Sequence, residues 1–199
     1  MTQGIVGILL AAGIGRRFGS DKLMHRLPDG RPMALAAATS LLPACDRVIA
    51  VLRHDHGALA DALSAAGCEI LSCPEAEGGM GHSLAAGVSA AADAAGWIVA
   101  LGDMPCIATH THHAVATCLK TGASLVATDY RGQRGHPVGF SSVWFPELFR
   151  LTGDRGGRMI LEANRQHLTI VSVDDPGAIL DIDRPDDLPD IQCDPALCR

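Results

Sequence analysis

The sequence predicts a three-layer α/β/α domain built on a Rossmann-like, mostly parallel twisted sheet. Three observations carry that prediction. Short apolar runs alternate with helix-like stretches along most of the chain, the pattern of right-handed βαβ units. The runs lack clean polar/apolar alternation, as strands do when a parallel sheet is covered on both faces. Hydrophobic residues make up 48% of the 199-residue chain and aromatics only 4%, so small side chains can pack helices closely on a sheet.

The elements follow in order. Ile5–Ala11, Arg47–Leu52, Trp97–Leu101 and Ser124–Thr128 read as buried strands. Between them, Pro32–Leu42, His56–Ala66, Gly81–Ala94 and Thr109–Lys120 read as helices. After Lys120 the order loosens. Val138–Ser141, Leu168–Val173 and Ile179–Ile182 read as strands, and Ser141–Arg150 and Arg155–Asn164 as helices. This half is expected to complete the sheet and cover the mouth of a site. Residues 1–190 read as one domain and 191–199 as a tail, with no fixed-period repeat and no long linker.

Composition excludes several classes. The formal net charge of −6 argues against a general nucleic-acid binder, which needs a broad basic face, and against docking on anionic lipid. No apolar run approaches the roughly 20 residues of a membrane helix. The start, MTQGIVGILLAA, has no Lys or Arg before its apolar stretch and reads as a buried strand, not a signal peptide. Seven cysteines, with no CxxC pair, read as reduced thiols of a cytoplasmic protein without a zinc site.

An acidic protein with an anionic ligand must meet it with local charge. Residues 10–22, LAAGIGRRFGSDK, follow the first strand and carry Gly13, Gly15 and Gly19 with Arg16, Arg17 and Lys22. A Walker loop would end in Gly-Lys-Ser/Thr, and a dinucleotide fingerprint would place two residues, not three, between Gly15 and Gly19. The remaining reading is a triphosphate loop: glycines let backbone N–H groups approach phosphates, while Arg16 and Lys22 add charge. Asp103 stands in GDMP just after WIVAL, at a strand's carboxyl end, where a carboxylate can hold Mg²⁺ through hard oxygens. The alternative role is a helix N-cap.

Six blocks in order, LLAAGIGRRFGSDK, GGMGHSLAAGV, ALGDMPCI, GQRGHPVGF, GDRGGR and DIDRPDDL, resemble the nucleotidyltransferases. More narrowly, they resemble the molybdenum cofactor cytidylyltransferases. The resemblance implies a sheet of the nucleotidyltransferase type and transfer of CMP from CTP to the terminal phosphate of molybdopterin, with release of pyrophosphate. It implies Mg²⁺, with Mn²⁺ as a substitute, held by Asp103 and an Asp of the late segment. Asp183 is the choice there and Asp181 the rival, with Asp186 and Asp187 placed in the first turn of a terminal helix. Arg16, Lys22 and Asp103 are the implied catalytic residues. Leu10, Ala11, Ala12, Gly13, Gly15, Arg16, Lys22, Gly79 and Ser83 are the implied nucleotide contacts, Ser83 being explained equally by capping. His136, Asp154 and Arg158 are implied on the acceptor side. A molybdenum hydroxylase-type client enzyme is the implied partner, and neither nucleic acid nor membrane is.

This chain departs from the family's usual residues at His82 and Gly139, where base or acceptor choice is expected to differ. Two alternatives stand beside this reading: a related transferase using GTP or another NTP with molybdopterin or a sugar phosphate, and a non-catalytic cofactor carrier. The histidine groups His54-Asp55-His56 and His110-Thr111-His112-His113 read as solvent-facing, not as metal ligands. Met24, Met33 and Met159 read as core fillers.

Overall fold

The computed structural model describes residues 4–13, 18, 21–54, 56–184 and 187. Among them one sheet runs through the molecule in the order β3-β2-β1-β4-β6-β5-β7. The strands are β1 (Ile5–Leu10), β2 (Arg47–Leu52), β3 (Glu69–Ser72), β4 (Gly96–Leu101), β5 (Leu125–Tyr130), β6 (Gln133–Ser141) and β7 (Leu168–Ser172). The longer helices are α1 (Met33–Leu41), α2 (Gly57–Ala65), α3 (Met80–Ala90) and α4 (Thr109–Lys120); α5 (Phe145–Phe149) and α6 (Arg158–Ala163) are short.

Strand β1 shows why the sequence looked continuously apolar. All six of its residues are buried, because successive side chains enter two different cores. Ile5 and Leu9 join the layer that holds α1, α2 and α4. Val6, Ile8 and Leu10 join the layer under α3, α5 and α6. Both faces are covered, so the period-2 signal disappears.

Two departures from the sequence reading matter for the site. First, β6 runs antiparallel between β4 and β5, and it begins five residues before Val138. It carries Pro137 although it is an internal strand. Proline is tolerated there because the register jumps: Ala127 pairs with Val138 but Thr128 pairs with Gly135, so His136 and Pro137 form a bulge. The His136–Pro137 peptide bond is cis. Second, Ile179–Ile182 is not a strand. Pro176–Ile179 forms a 3-10 turn, and the chain continues extended until the Ile182 amide donates to the Asp103 carbonyl at 3.1 Å.

Smaller differences have local causes. Strand β3, EILS, lies at the sheet edge with three of its four residues exposed, so it lacks an apolar signature. Ser141–Arg150 divides into a 3-10 turn over Ser142–Trp144 and the short α5. Gly156 with φ +48° delays α6 to Arg158. Met159 is exposed and is not a core filler, whereas Met33 is fully buried.

His112 is likewise buried, between α1 and α4, with Nε2 at 3.2 Å from the Ser40 hydroxyl. Burial, with the neighbouring His113, pushes its pKa down to about 3. His56 is also buried; the expected solvent-facing histidines therefore include two interior ones. Among the described residues no helix is long and apolar enough to cross a membrane.

Candidate active site

The carboxyl ends of β1 and β4 open into a cleft of about 550 Å³. Position follows from connectivity: the parallel strands β1, β2 and β4 all end on this side, and the loops after them gather there. Leu10, Ala12 and Gly13 line the cleft after β1. Ala11 does not. Its amide donates to the Val51 carbonyl at 3.0 Å and its methyl packs in the α1/α4 core, because alternation along the strand turns it away. Gly15 and Arg16 lie outside the described residues.

Lys22 stands at the head of a 3-10 turn, Lys22–Met24, and its residue exposure is only 7%. Its Nζ donates to Asp103 Oδ2 at 2.9 Å and to Asp183 Oδ1 at 2.9 Å. Residues 81 and 161 positions away in sequence thus converge on one nitrogen. Burial alone would lower the pKa of the ammonium. The hydrogen bonds and charges of Asp183 and Asp103 outweigh that and hold it above the ordinary lysine value.

The backbone holds the two carboxylates in place. Gly102 N donates to the Leu10 carbonyl, tying the start of the GDMP turn to β1, and the Ile182–Asp103 bond brings the late segment across. Asp187 then fastens Asp183: its Oδ2 accepts from the amides of Asp183 at 2.9 Å and Arg184 at 2.7 Å. Asp187, read from the sequence in the first turn of a terminal helix, lies in a 3-10 turn with its amide donating to the Arg184 carbonyl at 3.0 Å, and its carboxylate caps that turn and aims Asp183. Asp181 is exposed, and it is Asp183 that joins Asp103 on this lysine. Asp186 lies outside the described residues. Nor does Asp103 cap a helix. Helix α4 begins at Thr109, and the buried Asp175 takes that role through Ala108 N and Thr111 Oγ1 at 2.9 and 2.6 Å.

The opposite end of the cleft is built by residues 76–83. Gly79 has φ +118° and is the N-cap of α3. A Cβ there would run into the backbone of Gly153 and the carboxylate of Asp154, so only glycine lets the two loops touch. Gly81 N donates to the Gly153 carbonyl at 2.7 Å and seals the contact. Ser83 is buried and lines the cleft from inside α3, which starts three residues earlier; it is not a cap. His82 turns the other way, packs on Gly78 and lines a separate depression with Cys73 and Phe149.

A second chamber of about 640 Å³ adjoins the first. The two share Leu10, Met80, Leu101 and Asp154. Its floor is apolar, with Leu84, Val99, Val138 and Leu161. Three arginines, Arg134, Arg155 and Arg158, stand at its rim around Glu162. Arg158 Nε donates to Glu162 Oε1 at 2.6 Å, and Arg155 lies 3.7 Å from Oε2. The hydrogen bond from Arg158, then the charges of Arg158, Arg155 and Arg134, hold the Glu162 carboxyl below its usual range.

The β6 bulge delivers His136 to this chamber. Burial lowers its pKa, against a hydrogen bond to the Val99 carbonyl and the charges of Asp103 and Asp181. The ring is therefore neutral at pH 7. Gly139, expected to tune the acceptor, points instead into the core, where a Cβ would meet Val115 and Leu119 of α4.

Sequence reasoning missed Arg134 and Arg155: GQRGHPVGF and GDRGGR contain them, but which members face the site depends on the bulge and on the delayed start of α6. It named Asp187 without the part it plays in holding Asp183.

Known proteins resemble this chain in sequence and in overall fold. The MobA-like NTP transferase domain covers residues 7–169. The chain belongs to the MobA-like NTP transferase family. Within reach of this family it is 30% identical over 194 residues to the purine catabolism protein PucB of Bacillus subtilis (strain 168), covering 92% of this chain and 93% of that one. It is 27% identical over 187 residues to nicotine blue oxidoreductase of Paenarthrobacter nicotinovorans, covering 90% and 92%. Among solved structures, Rv0371c from Mycobacterium tuberculosis H37Rv superposes with a TM-score of 0.82 at 26% identity, covering 94% and 96%. Its manganese complex superposes with a TM-score of 0.78 at 25% identity, with the same coverage.

The donor set in this MobA-like chain suits such an ion. Asp103 and Asp183 present hard oxygens to one point, and the cleft beside them is open for water and phosphate, as Mg²⁺ and Mn²⁺ sites require. Among the described residues no group of three or more His, Cys, Asp or Glu could hold a metal, so an ion on this pair would need further ligands from outside those side chains. Burial pushes the Cys45 thiol up to about 12 and Cys68 up to about 11, so both are protonated at neutral pH.

Proposed function

We propose that this protein transfers CMP from CTP to the terminal phosphate of molybdopterin and releases pyrophosphate. The observation that carries the reading is the pairing of two adjoining chambers, one ending in Lys22, Asp103 and Asp183 and the other rimmed by arginines over an apolar floor. A triphosphate fits the first chamber. A flat heterocycle bearing an anionic phosphate fits the second.

The acceptor phosphate is already a nucleophile at neutral pH. One of its oxygens bonds to the α-phosphorus of CTP, the bond from that phosphorus to the bridging oxygen breaks, and pyrophosphate leaves with the electron pair. The obstacle is electrostatic, since two polyanions must meet, and positioning with charge neutralisation dominates. Lys22 and Arg16 neutralise the triphosphate and the departing pyrophosphate. Leu10, Ala12 and Gly13 bring backbone close to the nucleotide, and Gly79 and Ser83 face its base and ribose. Arg158, joined by Arg134 and Arg155, holds the acceptor anion, while His136 offers a neutral wall and Asp154 stands where the chambers join. Asp103 and Asp183 would hold Mg²⁺ or Mn²⁺, which when bound supplies positive charge to phosphate oxygens.

The two relatives are named for purine catabolism and for an oxidoreductase activity, settings that suit a molybdenum hydroxylase-type client. The oxidoreductase name also raises a dinucleotide-dependent reaction, against which the spacing of Gly13, Gly15 and Gly19 speaks. Pyrophosphate release, measured with CTP, GTP, ATP and UTP with and without molybdopterin, tests the proposal. It expects release that requires the acceptor and favours CTP. Preference for GTP selects the related transferase, tight cofactor binding without release selects the carrier, and NAD(P)H binding selects the oxidoreductase.

A further inference from the structure

We propose that Lys22 is the built-in occupant of the Asp103–Asp183 pair, and that a divalent cation enters only as an incoming triphosphate draws the lysine out. The inference rests on the metal reading of that pair given above. Its support is geometric. Both carboxylates place an oxygen 2.9 Å from Nζ, and Lys22 is almost completely enclosed. A divalent ion bound at about 2.0–2.1 Å from oxygen needs the same space. Two cations side by side in a partly buried cleft repel strongly.

The parts differ in their freedom to move. Asp103 and Asp183 are tied to each other's segments through Ile182 N, and Asp183 is capped by Asp187. Lysine carries its charge on a flexible four-carbon stem with three rotatable donors, so the lysine is the part that moves. Without nucleotide, moving it off the pair separates the ammonium from both carboxylates that hydrogen-bond it, which is costly. With a triphosphate in the cleft, Nζ exchanges carboxylate oxygens for phosphate oxygens. Metal and nucleotide binding are then linked, each strengthening the other by the same factor.

Mn²⁺ titrated into the full chain, with free Mn²⁺ read by electron paramagnetic resonance, tests this without any turnover. The wild type is expected to bind Mn²⁺ weakly without nucleotide. Lys22→Met, and independently Lys22→Gln, are expected to bind it at least about tenfold more tightly, within the usual range of coupling factors. Arg26→Met removes an exposed cation whose guanidinium donates to the Gly30 carbonyl at 2.7 Å, and should change nothing. A non-hydrolysable CTP analogue should narrow the gap between wild type and the Lys22 variants. Tight nucleotide-free binding by the wild type, equal to that with the analogue, overturns the proposal whatever the variants do. Failure of every protein to bind Mn²⁺ even with the analogue overturns the metal reading itself, and the lock falls with it.

Discussion

The two ends of the double chamber neutralise their charges in opposite ways. At the β1/β4 end, Lys22 is buried and its partners are anchored by backbone hydrogen bonds. At the acceptor rim, Arg158 and Arg155 have side-chain exposures of 74% and 68% and meet one glutamate from a short helix. Buried charges interact strongly and resist salt; exposed ones are screened and contribute little to stability. The first end is thus suited to fixed electrostatic work, and the rim to loose, salt-sensitive contacts with an anion.

The largest effect that would break this contrast lies at the anchored end. Asp103→Asn keeps the shape but removes the charge, and turnover should fall by about 10²–10³-fold, with a lower melting temperature as well because buried Lys22 loses one of its two charged partners. Steady-state pyrophosphate release and a thermal melt on the same sample check it. Turnover within a few-fold of wild type would remove the distinction between the two ends.

Acid loss of stability must be kept apart from effects in the cleft. His112 is neutral in the fold, with its pKa pushed to about 3, while an unfolded histidine titrates near 6.5. Between those values the unfolded chain binds the extra proton, so stability is full above about pH 6.5 and declines as pH falls toward 3, by up to about 1.4 kcal/mol per pH unit. His112→Leu should flatten the melting temperature between pH 7 and pH 4.5.

The wall shared by the two chambers sharpens the comparison further. Gly79→Ala forces alanine to φ +118° against Gly153 and should cost at least about 1–2 kcal/mol, seen as a lower melting temperature together with a higher KM for nucleotide. At the rim the smallest effects are expected. Arg158→Ala and Arg155→Ala should raise the acceptor KM several-fold at low salt, leave kcat and stability nearly unchanged, and lose their effect as salt shortens the Debye length to about 3 Å at 1 M. A salt-independent loss of kcat would place the rim with the anchored end.

Much of this organisation was legible in the sequence because it is local. A buried strand, a glycine loop with clustered cations, and a carboxylate just after another strand are each contiguous in LAAGIGRRFGSDK and GDMP. What was hidden depends on chain reversal. The sequence reading chooses Asp183 over Asp181, but that its carboxylate meets the Lys22 ammonium beside Asp103 is seen only in the fold. The inward turn of Gly139 and the delivery of His136 follow from a bulge in an antiparallel strand. Edge strand β3 has no buried face to mark it. The meeting of Lys22 with both carboxylates joins residues up to 161 positions apart, a distance no local pattern spans.

The most direct test is a crystal structure with a non-hydrolysable CTP analogue and Mn²⁺, read by anomalous scattering. The account predicts a manganese peak coordinated by Asp103 and Asp183, with Lys22 turned onto the phosphates beside residues 13–22. A triphosphate bound elsewhere, or a manganese peak remote from both carboxylates, would contradict it.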